Sequence, residues 1–282
     1  MSRIPASKPA PASAANKRPS MAALVWERAV LETKEFSRSR EQMLFIFMFP
    51  ILLLILFASI MGGNDIGGGV DFKQYFLAGM IASGIMNTGF QSLGISLAID
   101  RDDDVLKRIH GSPLPASAFF MGKIVHVLMV SIIQIALLLL VSALLYDIPI
   151  PTDPAKWLTF AWVFLLGTAA STVLGIAFSS LARRGRSAPA VLTPIVLSLQ
   201  FISGVFFVFT QLPSWLQHIA EVFPLKWLAQ GMRSVFLPDS FAAQEAAGSW
   251  QHPATAIVLA IWFVVGLAVT IKTFRWQRPN DR

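Results

Sequence analysis

The 282-residue chain contains no cysteine. A disulfide framework, Cys-ligated zinc, an iron–sulfur cluster and thiol catalysis are therefore excluded. Charge is scarce as well: Asp, Glu, Lys and Arg together make up 14% of the residues, against about 25% in a typical soluble domain. So little charge cannot cover a globular surface with solvated side chains. A soluble enzyme, a disordered chain and a coiled coil all fail on this ground. Acidic residues number 16 against 23 Lys and Arg, a formal net charge of +7. That excess raises the question of nucleic acid, which the distribution of the charges answers.

What the chain has in quantity is apolar runs. Four strong ones cover residues 43–61, 75–99, 119–145 and 157–181, and two more cover 188–209 and 255–274. Each reaches about 20 residues, enough to cross a hydrocarbon core of about 30 Å as a helix. The pattern predicts an all-α integral membrane protein with six transmembrane helices. Residues 1–20, rich in Pro, Ala, Ser and basic residues, read as a disordered cytoplasmic tail. Of the 23 Lys and Arg, 19 fall before the first run, in the second-to-third and fourth-to-fifth connections with Lys123 just beyond, or near the C-terminus. The other side carries only Lys73, Lys156, Lys226 and Arg233. This asymmetry puts both termini in the cytoplasm and makes the positive charge a topology signal, with no nucleic acid as partner.

The longest connection, residues 210–253, contains an apolar stretch from Pro213 to Phe236 that includes Trp215, Glu221 and Trp227. Pro224 cuts it into pieces of about a dozen residues, too short to span. We read 213–236 as two re-entrant helices that dip into the outer leaflet and return. At the other face, residues 21–42 set Glu27, Lys34, Arg38 and Glu41 in one sector and Met21, Val25, Ala29 and Phe36 on another, though Glu32 intrudes there. This is the pattern of an amphipathic helix lying on the inner membrane surface.

Catalytic patterns fail in turn. The four histidines, His110, His126, His218 and His252, show no HExxH spacing, so a metal site is not expected. Gly122-Lys123 lacks the preceding Gly and following Ser or Thr of a phosphate loop, so the chain carries no ATP site of that kind and no cofactor of its own. A serine-protease reading of Gly94-Ile95-Ser96 wants a His in a later span, and the last two spans hold none. No ionisable residue lies deep in a span, as an ion-driven carrier would require; Lys123 and His126 sit in the first turns of the third, where a Lys can snorkel.

Three patterns remain. Gly167, Ser171, Gly175 and Ser179 recur every four residues, a stripe that lets another helix approach closely. Ser83, Asn87 and Gln91 do likewise in the second span, and read either as interhelical glue or as the lining of a transport path. With Ser198, Ser203 and Phe206 they form the candidate substrate path: neutral hydroxyls and amides among Met and aromatic surfaces, suited to a lipophilic or amphipathic solute. The third is DRDDDVLKRIHGSPLP from Asp100 to Pro115. Asp102–Asp104 suit a helix start, Lys107 and Arg108 suit its end, and Gly111 and Pro113 stop it. Asp103–Lys107 and Asp104–Arg108 are favourable i,i+4 pairs, leaving Val105, Leu106 and Ile109 as an apolar patch. Such a helix is either a solvated connector or a docking element for a cytoplasmic partner.

On three segments the chain resembles the permeases of the ABC transporter type-two family, in particular the daunorubicin-resistance-like drug-exporter branch. They are the amphipathic helix 22–42, the loop DRDDDVLKRIHGSPLPASAFFMGK, and PIVLSLQFISGVFFVFTQLPSWLQHIAEVFPLKWLAQGMRSVF with its Ser203-Gly204, Leu212-Pro213, Phe223-Pro224 and Arg233. The acidic run is Asp-rich where relatives often carry Glu. The resemblance implies a permease domain over residues 43–275 with a short cytoplasmic tail beyond it, in a bacterial cell membrane. It also implies a second permease, identical or paralogous, two copies of a cytoplasmic ABC ATPase that uses ATP and Mg, and multidrug efflux or lipid export. The ATPase-coupling contact falls by resemblance on Val105, Leu106 and Ile109 with Lys107 and Arg108, and the re-entrant cap on Pro213, Trp215, Glu221, Pro224 and Trp227. The alternatives are export of a polysaccharide or glycolipid by the same kind of permease, an ion-coupled carrier or channel, and a membrane enzyme.

Overall fold

The computed structural model describes residues 19–111, 113–182 and 184–274, so the expectations for the N-terminal tail to residue 18 and for the tail from 275 lie outside the described residues. Helix α1 (Met21–Arg38) starts where the Ser20 hydroxyl accepts a hydrogen bond from the Ala23 amide at 3.2 Å. Ser39 breaks the helix, and α2 (Arg40–Met61) follows, so Gln42 belongs to the second helix and the interface helix ends at Arg38. Pro50 sits inside α2, as membrane helices tolerate.

The second apolar run forms one helical stretch in three parts: α3 (Phe72–Met86), a π-helical segment (Asn87–Ser92) and α4 (Leu93–Asp102). A short helix α5 (Val105–His110) follows, then α6 (Ala116–Tyr146) and α7 (Pro154–Phe178). The start of α7 is fixed by Asp153, whose carboxylate accepts from the Ala155 amide at 2.9 Å, with Pro154 at the first helical position. Helix α8 (Ala188–Ile202) is 15 residues long and stops short of the expected 209, because the chain turns at Ser203 and Gly204. Helices α9 (Ser214–Val222) and α10 (Pro224–Phe236) come next, divided at Phe223, and α11 (His252–Thr273) closes the described chain. Among the described residues there is no β-strand beyond a single bridge between Asp65 and Asp71.

Among the described residues, four helices are long and apolar enough to cross a membrane: α2, α6, α7 and α11. Each turns large apolar residues outward, such as Leu44, Leu52 and Ile60 on α2 and Ile257, Ile261 and Ile271 on α11. A surface of this kind needs lipid or another protein chain against it. At the centre lie α3, buried continuously from Tyr75 to Met86, and α10, buried at every position from Pro224 to Phe236. The α10 helix packs on α3, α7 and α11, while α1 lies along α6.

The small-residue stripe of α7 is where helices come closest. A Cβ on Gly175 would lie 2.4 Å from the Gly89 carbonyl oxygen, and one on Gly167 would lie 2.4 Å from Leu228 Cδ1. Ser171 donates to Met86 Sδ at 3.4 Å. The stripe thus seats the π-helical segment and α10 against α7, which is the packing use of small residues in membrane helices. Gly175→Val should destabilise the protein by about 1–3 kcal/mol through overpacking against backbone that cannot move away. The exposed Ser180→Val serves as control, with thermal unfolding in detergent as the readout; an unchanged midpoint for Gly175→Val would contradict the close crossing.

Candidate functional site

The end of the bundle where α1, α4 and α6 meet is organised by a buried ammonium. Lys123, in the second turn of α6, is fully buried; it does not snorkel to water as its position near a helix end suggests. Its Nζ lies 2.8 Å from Glu32 Oε1 of α1 and 3.2 Å from Asp100 Oδ2 of α4, and 5.2 Å over the Phe119 ring. Arg28 also pairs with Glu32, one turn along α1, and its guanidinium lies 4.9 Å over the Phe119 ring. Glycine at 122 makes this approach possible, since a Cβ there would sit 2.6 Å from Arg28 Cβ. The Gly-Lys pair of the sequence is thus one device: the glycine admits α1 and the lysine binds it. Thr33 Oγ1 and His126 Nδ1, 3.0 Å apart, extend the same contact by one turn.

Glu32 is 5% exposed. Burial alone would raise its pKa, but the adjacent Lys123 and Arg28 outweigh that and hold it below the ordinary 4.5. Its contribution to stability is therefore complete above pH 4.5 and is lost as pH falls below that value.

Asp100 leads directly into the loop singled out by sequence. Arg101 is buried and donates to the Ser179 carbonyl and to Ser179 Oγ, each at 3.0 Å. Asp102 accepts from the Gly185 amide at 3.1 Å, so the connection between α7 and α8 rests on the end of α4. Asp102 thus ends α4 instead of opening the next helix, and Asp104, in the left-handed region at φ 56°, becomes the residue before α5. The acidic run forms a corner between two helices, and α5 is only six residues long.

This corner divides the expected apolar patch. Leu106 is fully buried in the chain's own core, packed with Leu93, Leu97, Phe119, Val127 and Ile176, with Ile109 half-buried at its edge. Leu106 therefore anchors α5 to the bundle and is not itself presented to a partner. Val105 is half-buried, and Lys107 and Arg108 are exposed. The exposed face of α5 is thus basic.

The six path candidates are not brought together. Gln200 of α8, a residue passed over in the sequence, donates from Nε2 to Ser83 Oγ at 2.7 Å and to Asn87 Oδ1 at 3.1 Å. Gln91 donates to Thr193 Oγ1 at 3.0 Å. These contacts tie the second helical stretch to α8, which is the use as glue. Ser198 is exposed, off this face. Ser203 and Phe206 lie beyond the end of α8, both buried, Phe206 among Phe57, Phe76 and Phe201. Asn87 and Gln91 additionally face a cavity of about 530 Å³ between α2, the π-helical segment and α4, which reaches down to Asp100.

At the other end of the second helical stretch, α9 and α10 build a compact cap. Pro213 precedes α9, Trp215 is exposed, and Pro224 opens the buried α10. The Glu221 carbonyl accepts from Trp227 Nε1 at 2.6 Å, closing the corner between the two helices. Lys226 Nζ lies 3.5 Å over the Trp227 ring. A buried ion pair here joins Arg233, part of the family-like segment, to Glu245, which the sequence did not single out. Arg233, fully buried, donates from Nε and Nη2 to Glu245 at 2.5 and 3.0 Å, and from Nη1 to the Gly204 carbonyl at 3.3 Å. Its guanidinium lies 4.9 Å over Tyr75. Tyr75 in turn accepts from the Phe209 amide at 3.0 Å.

An apolar helical bundle with a buried charged cluster at one end and a cap at the other is consistent with a membrane transport protein. The ABC-2 type transporter family matches residues 24–237, and the chain belongs to that family. It is 20% identical over 198 residues to YvfS of Bacillus subtilis (strain 168), a transport permease by name, covering 70% of this chain and 79% of the relative. It is 24% identical over 191 residues to ycf38 of Porphyra purpurea, also a transport permease by name, with 66% and 65% covered. YbhR of Escherichia coli (strain K12), by name a multidrug ABC transporter permease, is 23% identical over 172 residues, with 61% of this chain and 46% of the relative covered. Family membership implies an ABC ATPase as partner.

Removing the Lys123 ammonium leaves two carboxylates without their shared partner. Lys123→Met should cost about 3–5 kcal/mol, and the triple change with Glu32→Gln and Asp100→Asn should recover more than half of it. Unfolding followed against pH should show wild-type stability falling below pH 4.5, with a weaker slope in Glu32→Gln. A wild-type profile parallel to that of Glu32→Gln would contradict the assigned contact.

Proposed function

We propose that this chain is the membrane subunit of an ATP-driven exporter. It crosses the membrane six times: α2, the stretch from α3 to α4, α6, α7, α8 with the turn after it, and α11. Both termini are in the cytoplasm of a bacterial cell, and the helices α9 and α10 dip into the outer leaflet. A separate ABC ATPase, two copies per complex, supplies the energy, and a second permease, identical or paralogous, completes the assembly. The chain itself carries no catalytic role.

The observation that carries this reading is the attachment of α5. Leu106 fixes the helix to the core, and the corner before it is continuous through Asp100 with Lys123 and Glu32. A push on α5 therefore reaches α4, α6 and the interface helix α1 through buried contacts, as a coupling element requires. The exposed Lys107 and Arg108 are its outward groups. The cargo is a lipophilic or amphipathic molecule moved outward. The apolar walls and neutral amides of the cavity support this, as does the likeness to a multidrug permease by name.

Export should be measured in proteoliposomes holding the permease and an ABC ATPase, offered a fluorescent amphipathic drug, a lipid and a polysaccharide precursor. Movement of the drug or lipid is expected. Movement of the polysaccharide alone would overturn the cargo and leave the transporter class standing. Lys107→Glu with Arg108→Glu should lower export at least tenfold with an unchanged unfolding midpoint, since both side chains are exposed. Full export by that variant would mean that α5 is only a connector.

A further inference from the structure

The cavity beside α2 has a chemical bias that the cargo reading above leaves open. It is about 530 Å³, within the range of pockets that hold drug-sized ligands. Its wall on the α2 side includes Phe45 and Phe49, whose rings stack in parallel, 5.0 Å apart and 11° from coplanar. Ile95 and Ile99 of α4 and the amides of Asn87 and Gln91 also line it. Two carboxylates, Glu41 and Asp100, stand at the end where α2 begins and α4 finishes. Among the described residues, no Lys, Arg or His lines the cavity.

The two carboxylates are not equivalent. Asp100 is engaged by Lys123 at 3.2 Å. Glu41 is exposed, in the first turn of α2, and among the described residues no ion pair holds it. The cavity therefore keeps one uncommitted negative charge at its polar end. Aromatic faces carry negative potential as well, so Phe45 and Phe49 favour a cation in the same space. Both rings are partly exposed, at 53% and 39%, which leaves the side of the cavity open along α2.

We infer that this cavity is a binding site for amphipathic organic cations that carry aromatic rings. The cationic centre sits towards Glu41, and the rings lie along Phe45, Phe49, Ile95 and Ile99. An anion of the same shape would meet Glu41 and the ring faces with no compensating charge, and is rejected. The inference rests on the export reading in naming this site as a place where cargo is held, but binding itself needs neither ATP nor a partner.

The test is equilibrium binding of radiolabelled tetraphenylphosphonium to the full chain in nanodiscs of neutral phosphatidylcholine at low ionic strength, with empty nanodiscs subtracted. Saturable binding is expected. It should weaken about fivefold in Glu41→Gln, the scale of one solvent-screened ion pair. Unlabelled tetraphenylborate, an anion of nearly the same size, should compete at least tenfold less well than unlabelled tetraphenylphosphonium. Ile99→Trp, which fills the cavity, should abolish binding, and unfolding midpoints of both variants report whether they remain folded. Equal affinity in wild type and folded Glu41→Gln, or equal competition by the anion, would overturn the site. The export reading fails separately: charge-selective binding without ATP-driven movement in the proteoliposomes would keep the site and remove its role in transport.

Discussion

A lysine ammonium cannot be taken out of water without partners, and those of Lys123 on α6 come from two other helices. Burial of a charge costs several kcal/mol unless it is repaid by close, well-placed opposite charge. Glu32 on α1 and Asp100 on α4 provide it at 2.8 and 3.2 Å. Because the pairing is worthwhile only when all three are in place, it fixes how α1, α6 and α4 lie against one another. In lipid there is little hydrophobic drive between one apolar helix and the next, so specific polar contacts and close packing decide register. Replacing all three charged groups together by well-packed apolar residues of similar volume would leave the stability nearly unchanged; the charges choose one arrangement among several.

From that fixed point the rest of this end of the bundle follows by contact. Arg101 reaches Ser179, Asp102 reaches the Gly185 amide, and Leu106 seats α5 in a cluster shared by α4, α6 and α7. The other end of the same helical stretch is held by a second buried ion pair, Arg233 with Glu245, stacked on Tyr75. Between the two lies the π-helical segment Asn87–Ser92, where the backbone hydrogen-bond ladder is widest and where amides face both α8 and the cavity. A π-helical turn within an α-helix is frequently found at functional positions. In this chain it sits midway between two rigid ends, which is where a change in helix register has least to break.

Much of this was legible in the residues. The apolar runs gave α2, α6, α7 and α11 within a few positions, because lipid demands long uninterrupted hydrophobic helices. The spacing of Gly167, Ser171, Gly175 and Ser179 gave the closest helix crossings, because only small side chains permit them. What stayed hidden depended on partners distant in sequence. Glu32 read as a flaw on the apolar face of α1; it is there because Lys123, 91 positions later, needs it. Lys123 read as a snorkelling side chain for the same reason. The acidic run read as a helix start, since neither the left-handed turn at Asp104 nor the hold of Gly185 on Asp102 has a local signature. Gln200, the residue that joins Ser83 to Asn87, stood among apolar neighbours and gave no pattern of its own.

The central claim is that the base organised by Lys123 receives force from an ATPase through α5. A photoreactive amino acid at position 107 examines this directly, in membranes where the permease and an ABC ATPase are expressed together. The account predicts a crosslink to the ATPase from position 107 and none from Ala243, which lies beyond the cap and is exposed. A crosslink from Ala243 with none from position 107, in a complex that copurifies, would contradict it.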